Sequence, residues 1–194
     1  VLHVAIFDAM GHGLRASQLA TLAVNAYRWA RRDRRPLPEI YRAIDDVVAT
    51  EFGPDSFTTA QLATIELETG AIECVNAGHP QPLLLRDGKV SELAFDACLP
   101  IGLGHGDGEL TSASLQPGDT VVFVSDGTIE ARSASGEQFG IDRLSEHLLR
   151  AAATGLTPSE TMRRAAHALL DHHGGHLDDD ATLVSVMWKG DRQA

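Results

Sequence analysis

The chain opens on an apolar run, VLHVAIF at residues 1–7, which passes straight into the turn FDAMGHGLRA at 7–16. A short continuous apolar run closed by glycines predicts a buried strand. From residue 14 to about 31 the period changes, and Leu19, Leu22, Ala23, Ala26 and Ala30 recur at helical spacing. Pro36 and Pro38 end that helix because neither can continue it. A second helix is predicted over 38–52, with Ile40, Ile44, Val47 and Val48 on one face. The period then falls to two. FTTAQLATIELETG predicts a strand running into a turn, AIECVNAGHP its return partner, and PLLLRDGKVSEL a hairpin about Asp87-Gly88. ELTSASLQPGDTVVFVSDG repeats that design, with a strand, a Pro117-Gly118-Asp119 turn and an apolar strand that ends at Asp126. Helices are predicted over about 141–153 and 158–172, and ATLVSVMW closes the chain as a strand. Helices segregated from a run of antiparallel strands predict an α+β fold, not the regular βαβ alternation of a parallel sheet. GLGHGDG at 102–108 is the expected mobile loop.

Composition narrows the function classes. With 194 residues the chain is expected to form one domain over 1–194. The net charge of −11 argues against nucleic acid, whose affinity rests on Lys and Arg neutralising phosphates, and against anionic membrane surfaces. No apolar run reaches the roughly 18 residues of a membrane span, and nothing at the N-terminus resembles an export signal. Cys74 and Cys98 lack Cys-x-x-Cys spacing and fit inert positions in a reducing compartment, so the cytoplasm is the expected location. The chain begins at Val1 within a strand and without Met, which suggests a longer protein with sequence missing upstream.

The charge matters more where it is concentrated. Asp8 and Asp126 each close an apolar strand, and Asp178, Asp179 and Asp180 immediately precede a third. In an antiparallel sheet the end of one strand lies beside the start of its neighbour, so all three segments are expected at one edge. Converging carboxylates repel unless a cation neutralises them. Short oxygen ligands suit Mg²⁺ or Mn²⁺, and two such ions about 3.5–4 Å apart can activate a water and clamp a phosphoryl group. Glycine lets the backbone approach an ion, so the Ala9 carbonyl is a candidate further ligand. Each aspartate alone also fits a turn or helix cap, DGTIE an ordinary turn, and DDD a solvated charge run.

Five motifs in order, DAMGHG at 8–13, NAGHPQPLLL at 76–85, LPIGL at 99–103, SDGTIEA at 125–131 and DDAT at 179–182, make the chain resemble the PPM (PP2C-type) Ser/Thr phosphatases, and more narrowly their bacterial SpoIIE/RsbU branch. The resemblance implies an antiparallel β-sandwich flanked by helix pairs in α-β-β-α order. It implies two or more Mn²⁺ or Mg²⁺ ions and a metal-bound water attacking phosphoserine or phosphothreonine. It assigns metal binding to Asp8, the Ala9 carbonyl, Asp126 and Asp179, with Asp180 in a neighbouring position. His12 and Gly13 are expected to shape the turn, His79 to be structural, and HHGGH at 172–176 to be a Gly-rich connection. The family usually carries another metal-binding Asp in an upstream Gly-Asp motif, on N-terminal strands that this chain is expected to lack.

The partners implied are a phosphorylated protein, such as an anti-sigma-factor antagonist in partner switching, and an upstream sensor domain acting through the two N-terminal helices. The oligomeric state stays open, a homodimer included. The competing function is a catalytically degenerate domain that binds a partner without turnover. A receiver-like phosphoacceptor built on Asp8 is disfavoured, because the middle of the chain reads as hairpins.

Overall fold

The computed structural model describes residues 1–104, 106–175 and 179–190. In chain order the elements are β1 (Leu2–Ala9), α1 (Leu14–Arg32), α2 (Leu37–Phe52), β2 (Thr58–Ile65), β3 (Ala71–Ala77), β4 (Leu83–Arg86), β5 (Lys89–Glu92), β6 (Leu110–Ser114), β7 (Thr120–Val124), α3 (Asp126–Ile129), α4 (Gly140–Ala153), α5 (Pro158–His173) and β8 (Leu183–Met187). Contacts divide the chain into two units, one of Val1–His79 with Phe95–Ser114 and the other of Pro80–Ala94 with Leu115–Ala194. Each unit holds one four-stranded antiparallel sheet, in the order β1-β2-β3-β6 in the first and β5-β4-β7-β8 in the second. No helix among the described residues is long and apolar enough to cross a membrane.

In the first unit the helical periodicity is realised at most positions, but Val47, expected on the apolar face of the second helix, is exposed. α1 buries Leu19, Ala23, Tyr27 and Ala30, and Arg31 and Arg32 sit in its last turn, where the helix dipole favours cations. α2 buries Leu37, Ile40, Tyr41, Ile44 and Val48 and ends at Gly53, whose φ is 76°. Ile40 and Ile44 are completely buried, each worth about 2–3 kcal/mol of apolar burial. Two expectations are corrected. β1 is an edge strand in which only Ile6 is buried, and its ladder continues through Asp8, opposite Thr59, and Ala9, opposite Thr58. The loop at 102–108 is held by α2 at its described residues. The buried Asp45 carboxylate accepts the Gly102 amide at 2.6 Å and the Gly104 amide at 3.3 Å, and a Cβ at Gly106 or Gly108 would run into Tyr41.

In the second unit Asp87 and Gly88 take φ of 49° and 68° and close the β4–β5 hairpin, as their sequence requires. β7 is buried throughout and pairs with β4 on one side and β8 on the other. The expected hairpin across Pro117–Asp119 is not formed, because β6 pairs with β3 in the other sheet. β6 alternates between exposed and half-buried positions, the pattern of a sheet edge, whereas β7 has the continuous apolar run of a central strand. α5 begins with a side-chain N-cap: Thr157 Oγ1 accepts the Glu160 amide at 3.3 Å, and Pro158 occupies the first turn. α4 and α5 bury Leu144, Leu148, Ala165 and Leu169 with Leu83, Val122 and Val124 of the sheet.

Candidate active site

The second unit brings Asp126 and Asp179 together. β7 and β8 are antiparallel with Val124 opposite Leu183, so the end of one strand lies beside the start of the other. Beyond that last pair the two segments interlock. Ser125 N donates to Thr182 O at 3.1 Å, Thr182 N returns to Ser125 Oγ at 2.9 Å, and Thr128 Oγ1 donates to Thr182 O at 3.1 Å. Gly127 allows this approach, since a Cβ there would collide with the Asp180 carbonyl oxygen. Asp126 and Asp179 then line one cavity of about 220 Å³ with Gly127, Glu130, Ala131, Arg132 and His173.

Both carboxylates are turned onto the next amide in their own segment: Gly127 N donates to Asp126 Oδ1 at 2.8 Å, and Asp180 N to Asp179 Oδ1 at 2.8 Å. A carboxylate has a second oxygen left for another contact, and an oxygen-only pair on one cavity wall fits a hard divalent cation better than a soft one. No group of three or more His, Cys, Asp or Glu able to hold a metal ion is assembled among the described residues. Asp178 lies outside the described residues.

Asp8 and Ala9 belong to the first unit, where their backbone is well anchored. The Asp8 carbonyl accepts Thr58 Oγ1 at 2.8 Å and Thr59 Oγ1 at 3.4 Å, and Met10 N donates to Phe57 O at 3.1 Å. Thr59 Oγ1 also shares a 2.8 Å hydrogen bond with Nδ1 of His79, itself buried, with its amide on Asn76 Oδ1 at 2.8 Å. NAGHP thus supports the strand that carries Asp8, the structural role expected of His79. Thr58 and Thr59 were not singled out from the sequence, although a Thr pair at the head of a strand facing Asp-Ala was the available signal. After Ala9 the chain turns through Gly11 and Gly13, at φ of 81° and 82°, into α1, while His12 is exposed.

One further feature corrects the sequence reading. His172 and His173 are the last residues of α5, not a Gly-rich connection, and Gly174 caps the helix in the left-handed conformation; His176 lies outside the described residues. His172 meets Arg143 NH1 at 2.5 Å and the Glu137 carbonyl at 2.9 Å, and Arg143 also pairs with the Glu137 carboxylate at 2.9 Å. The cysteines fit inert positions. Burial pushes the Cys74 thiol up to about 12 and also raises that of Cys98, which keeps both protonated near neutrality.

With this geometry in view, comparison with known proteins is specific. A family model described as Stage II sporulation protein E (SpoIIE) matches residues 1–189. Protein IcfG of Synechocystis is 27% identical over 148 residues, 75% of this chain but 23% of that protein, so the chain spans about a quarter of that relative's length. The RsbU and RsbW domains of Rv1364c from Mycobacterium tuberculosis superpose with a TM-score of 0.81 at 23% identity, over 94% of this chain and 50% of that one. The catalytic domain of the serine/threonine phosphatase PstP, solved with two manganese ions, superposes at 0.70 and 19% identity, over 94% of this chain and 86% of that one. The antiparallel sheets with their helices are therefore of PP2C type, and the chain belongs to the SpoIIE family.

Proposed function

We propose that this chain is the catalytic domain, over 1–194, of a metal-dependent protein serine/threonine phosphatase. The observation that carries the reading is the interlock of SDGT with DDAT, which sets the Asp126 and Asp179 carboxylates on one small cavity. The manganese ions of the PstP relative support Mn²⁺ or Mg²⁺ as cofactor, two or more ions. Asp8, the Ala9 carbonyl, Asp126 and Asp179 would hold them. Bound ions supply positive charge to the phosphoryl oxygens and make water a better nucleophile near neutral pH.

The chain's own residues prepare for that chemistry. Ser125, Thr128 and Thr182 hold the two Asp-bearing segments at fixed separation, so little reorganisation is needed when a ligand binds. Thr58 fixes the backbone at Asp8. The substrate of this reading is a phosphorylated protein. The pairing of RsbU and RsbW domains in one relative supports a partner-switching setting, and this reading places the domain in the cytoplasm, under an upstream sensor domain, with an anti-sigma-factor antagonist as its substrate.

The test is Mn²⁺-dependent hydrolysis of p-nitrophenyl phosphate and of a phosphoserine peptide, with Mn²⁺ binding followed separately. Asp126→Asn is expected to lower turnover by at least about 100-fold and to weaken Mn²⁺ binding, with the melting temperature retained. Full activity in the variant would overturn the reading. A wild-type protein that binds Mn²⁺ but hydrolyses neither substrate, while Asp126→Asn still binds its partner, would favour the degenerate partner-binding module.

A further inference from the structure

The cavity that holds Asp126 and Asp179 is also lined by Glu130, and it faces a chemical difficulty that ions alone do not address. A phosphate monoester is a dianion, and it must be oriented beside three carboxylates. Among the described residues, the only arginine or lysine lining this cavity is Arg132.

Its surroundings are built. The segment 131–139 closes on itself: Phe139 N donates to Ala131 O at 2.8 Å, Ser133 N to Glu137 O at 2.9 Å, and Gly136 N to Ser133 O at 2.8 Å. Arg132 NH1 donates to the Gly136 carbonyl at 2.9 Å, which tethers the guanidinium to the loop that carries it. The base of the loop is anchored by buried Phe139 and by the Glu137–Arg143 pair, and Arg143 in turn meets His172 of α5.

Charge pairing sets this residue apart. Every other described arginine of the second unit, namely Arg86, Arg143, Arg150, Arg163 and Arg164, forms an ion pair with a carboxylate. Arg132 forms none among the described residues, although Asp126, Glu130 and Asp179 line the same cavity. A tethered guanidinium with donors still available matches the paired oxygens of a phosphoryl group.

We infer that Arg132 binds the phosphoryl group of the substrate, as a positioning and affinity-determining residue of this site. The inference rests on the phosphatase reading for its substrate, but the binding it describes can be measured without turnover. Holding the guanidinium on a closed loop reduces the ordering cost of each contact it makes to the ester.

The experiment compares wild type with Arg132→Ala and Arg132→Lys, using inorganic phosphate and a phosphoserine peptide as probes. Removal of the fork is expected to raise KM for the peptide and the inhibition constant for phosphate by about tenfold or more. The Mn²⁺ dissociation constant and the melting temperature are expected to stay at wild-type values. Arg132→Lys should recover part of the affinity, since it keeps the charge without the planar fork. Unchanged KM and phosphate inhibition in a folded Arg132→Ala protein would overturn the inference. So would a loss of Mn²⁺ binding equal to the loss of phosphate affinity, which would make Arg132 a support of the metal ligands. If Arg132→Ala fails to fold, Arg132→Lys and Arg132→Gln carry the same comparison. If the wild type hydrolyses nothing, the phosphatase reading fails, and phosphate titration followed through the Arg132 Nε resonance still decides the inference: saturable shifts support it, and none defeats it.

Discussion

The turn after β1 and the turn after β7 both carry a candidate metal-binding aspartate, and both contain glycine for different physical reasons. At Gly11 and Gly13 no atom lies within 4 Å of where a Cβ would stand, and the requirement is conformational, with φ near 80°. At Gly127 it is steric, since the Asp180 carbonyl occupies the space a side chain would need. Backbone conformation shapes the first turn. Contact with a segment more than 50 residues away shapes the second. The buried carboxylates differ in another way: Asp45 of the first unit is satisfied by two loop amides, and Asp119 of the second by the Arg86 guanidinium and the Gln116 amide.

The largest effect expected from this comparison is at Gly127. Gly127→Ala must push the DDAT segment away from SDGT, at a cost of about 3 kcal/mol. For a chain of this size that is a fall in melting temperature of roughly 6–12 °C, with Mn²⁺ affinity lost alongside it. A variant that melts like wild type would show that the interlock is loose and erase the contrast between the turns.

A smaller effect is expected at Asp119, and it carries a pH signature. Burial alone would raise this carboxyl, but the Arg86 hydrogen bond, the Gln116 amide and the guanidinium charge outweigh burial and hold it below the usual carboxylate range. A depressed pKa contributes stability that is present above the unfolded value, about 3.9, and is lost as the pH falls toward the folded value. Asp119→Asn should therefore cost about 2 kcal/mol at pH 7. The gap from wild type should narrow below about pH 4. Urea midpoints at pH 7, 5 and 3.5 read this directly, and a pH-independent gap would remove the ion pair from the account.

The smallest effect is expected at Gly13→Ala, about 1 kcal/mol for forcing a side chain into a left-handed φ with nothing to clash against. Chemical denaturation measures it. A loss as large as that of Gly127→Ala would mean that the first turn is also held by contact.

Much of the fold was legible in the sequence because local rules act locally. Helical spacing placed α1, α2, α4 and α5 to within a residue or so at most ends, Asp87-Gly88 marked its hairpin, and the motif order pointed to the PP2C-type fold. The motifs also named Asp126 and Asp179, which the second unit sets on one cavity. The sequence reading failed where the answer depended on a partner. ELTSASL and DTVVFV read as two arms of one hairpin, because a strand pattern states which face is apolar but not which strand will pair with it. HHGGH read as a connection through its glycines, whereas α5 runs on through His173, and His172 is held by Arg143, the Glu137 carbonyl and the packing of Phe139. Arg132 was unremarkable as a letter, and it stood out only when its neighbours proved to be carboxylates with which it forms no ion pair.

By itself the sequence determined element type, turn chemistry and the identity of the carboxylates, because periodicity, backbone strain and ionisation are properties of a residue and its near neighbours. The tertiary structure alone decided strand partners, the seating of SDGT against DDAT and the placing of Arg132 on a cavity lined by carboxylates, because hydrogen bonds and charge pairs depend on distances between residues that the chain separates by tens of positions.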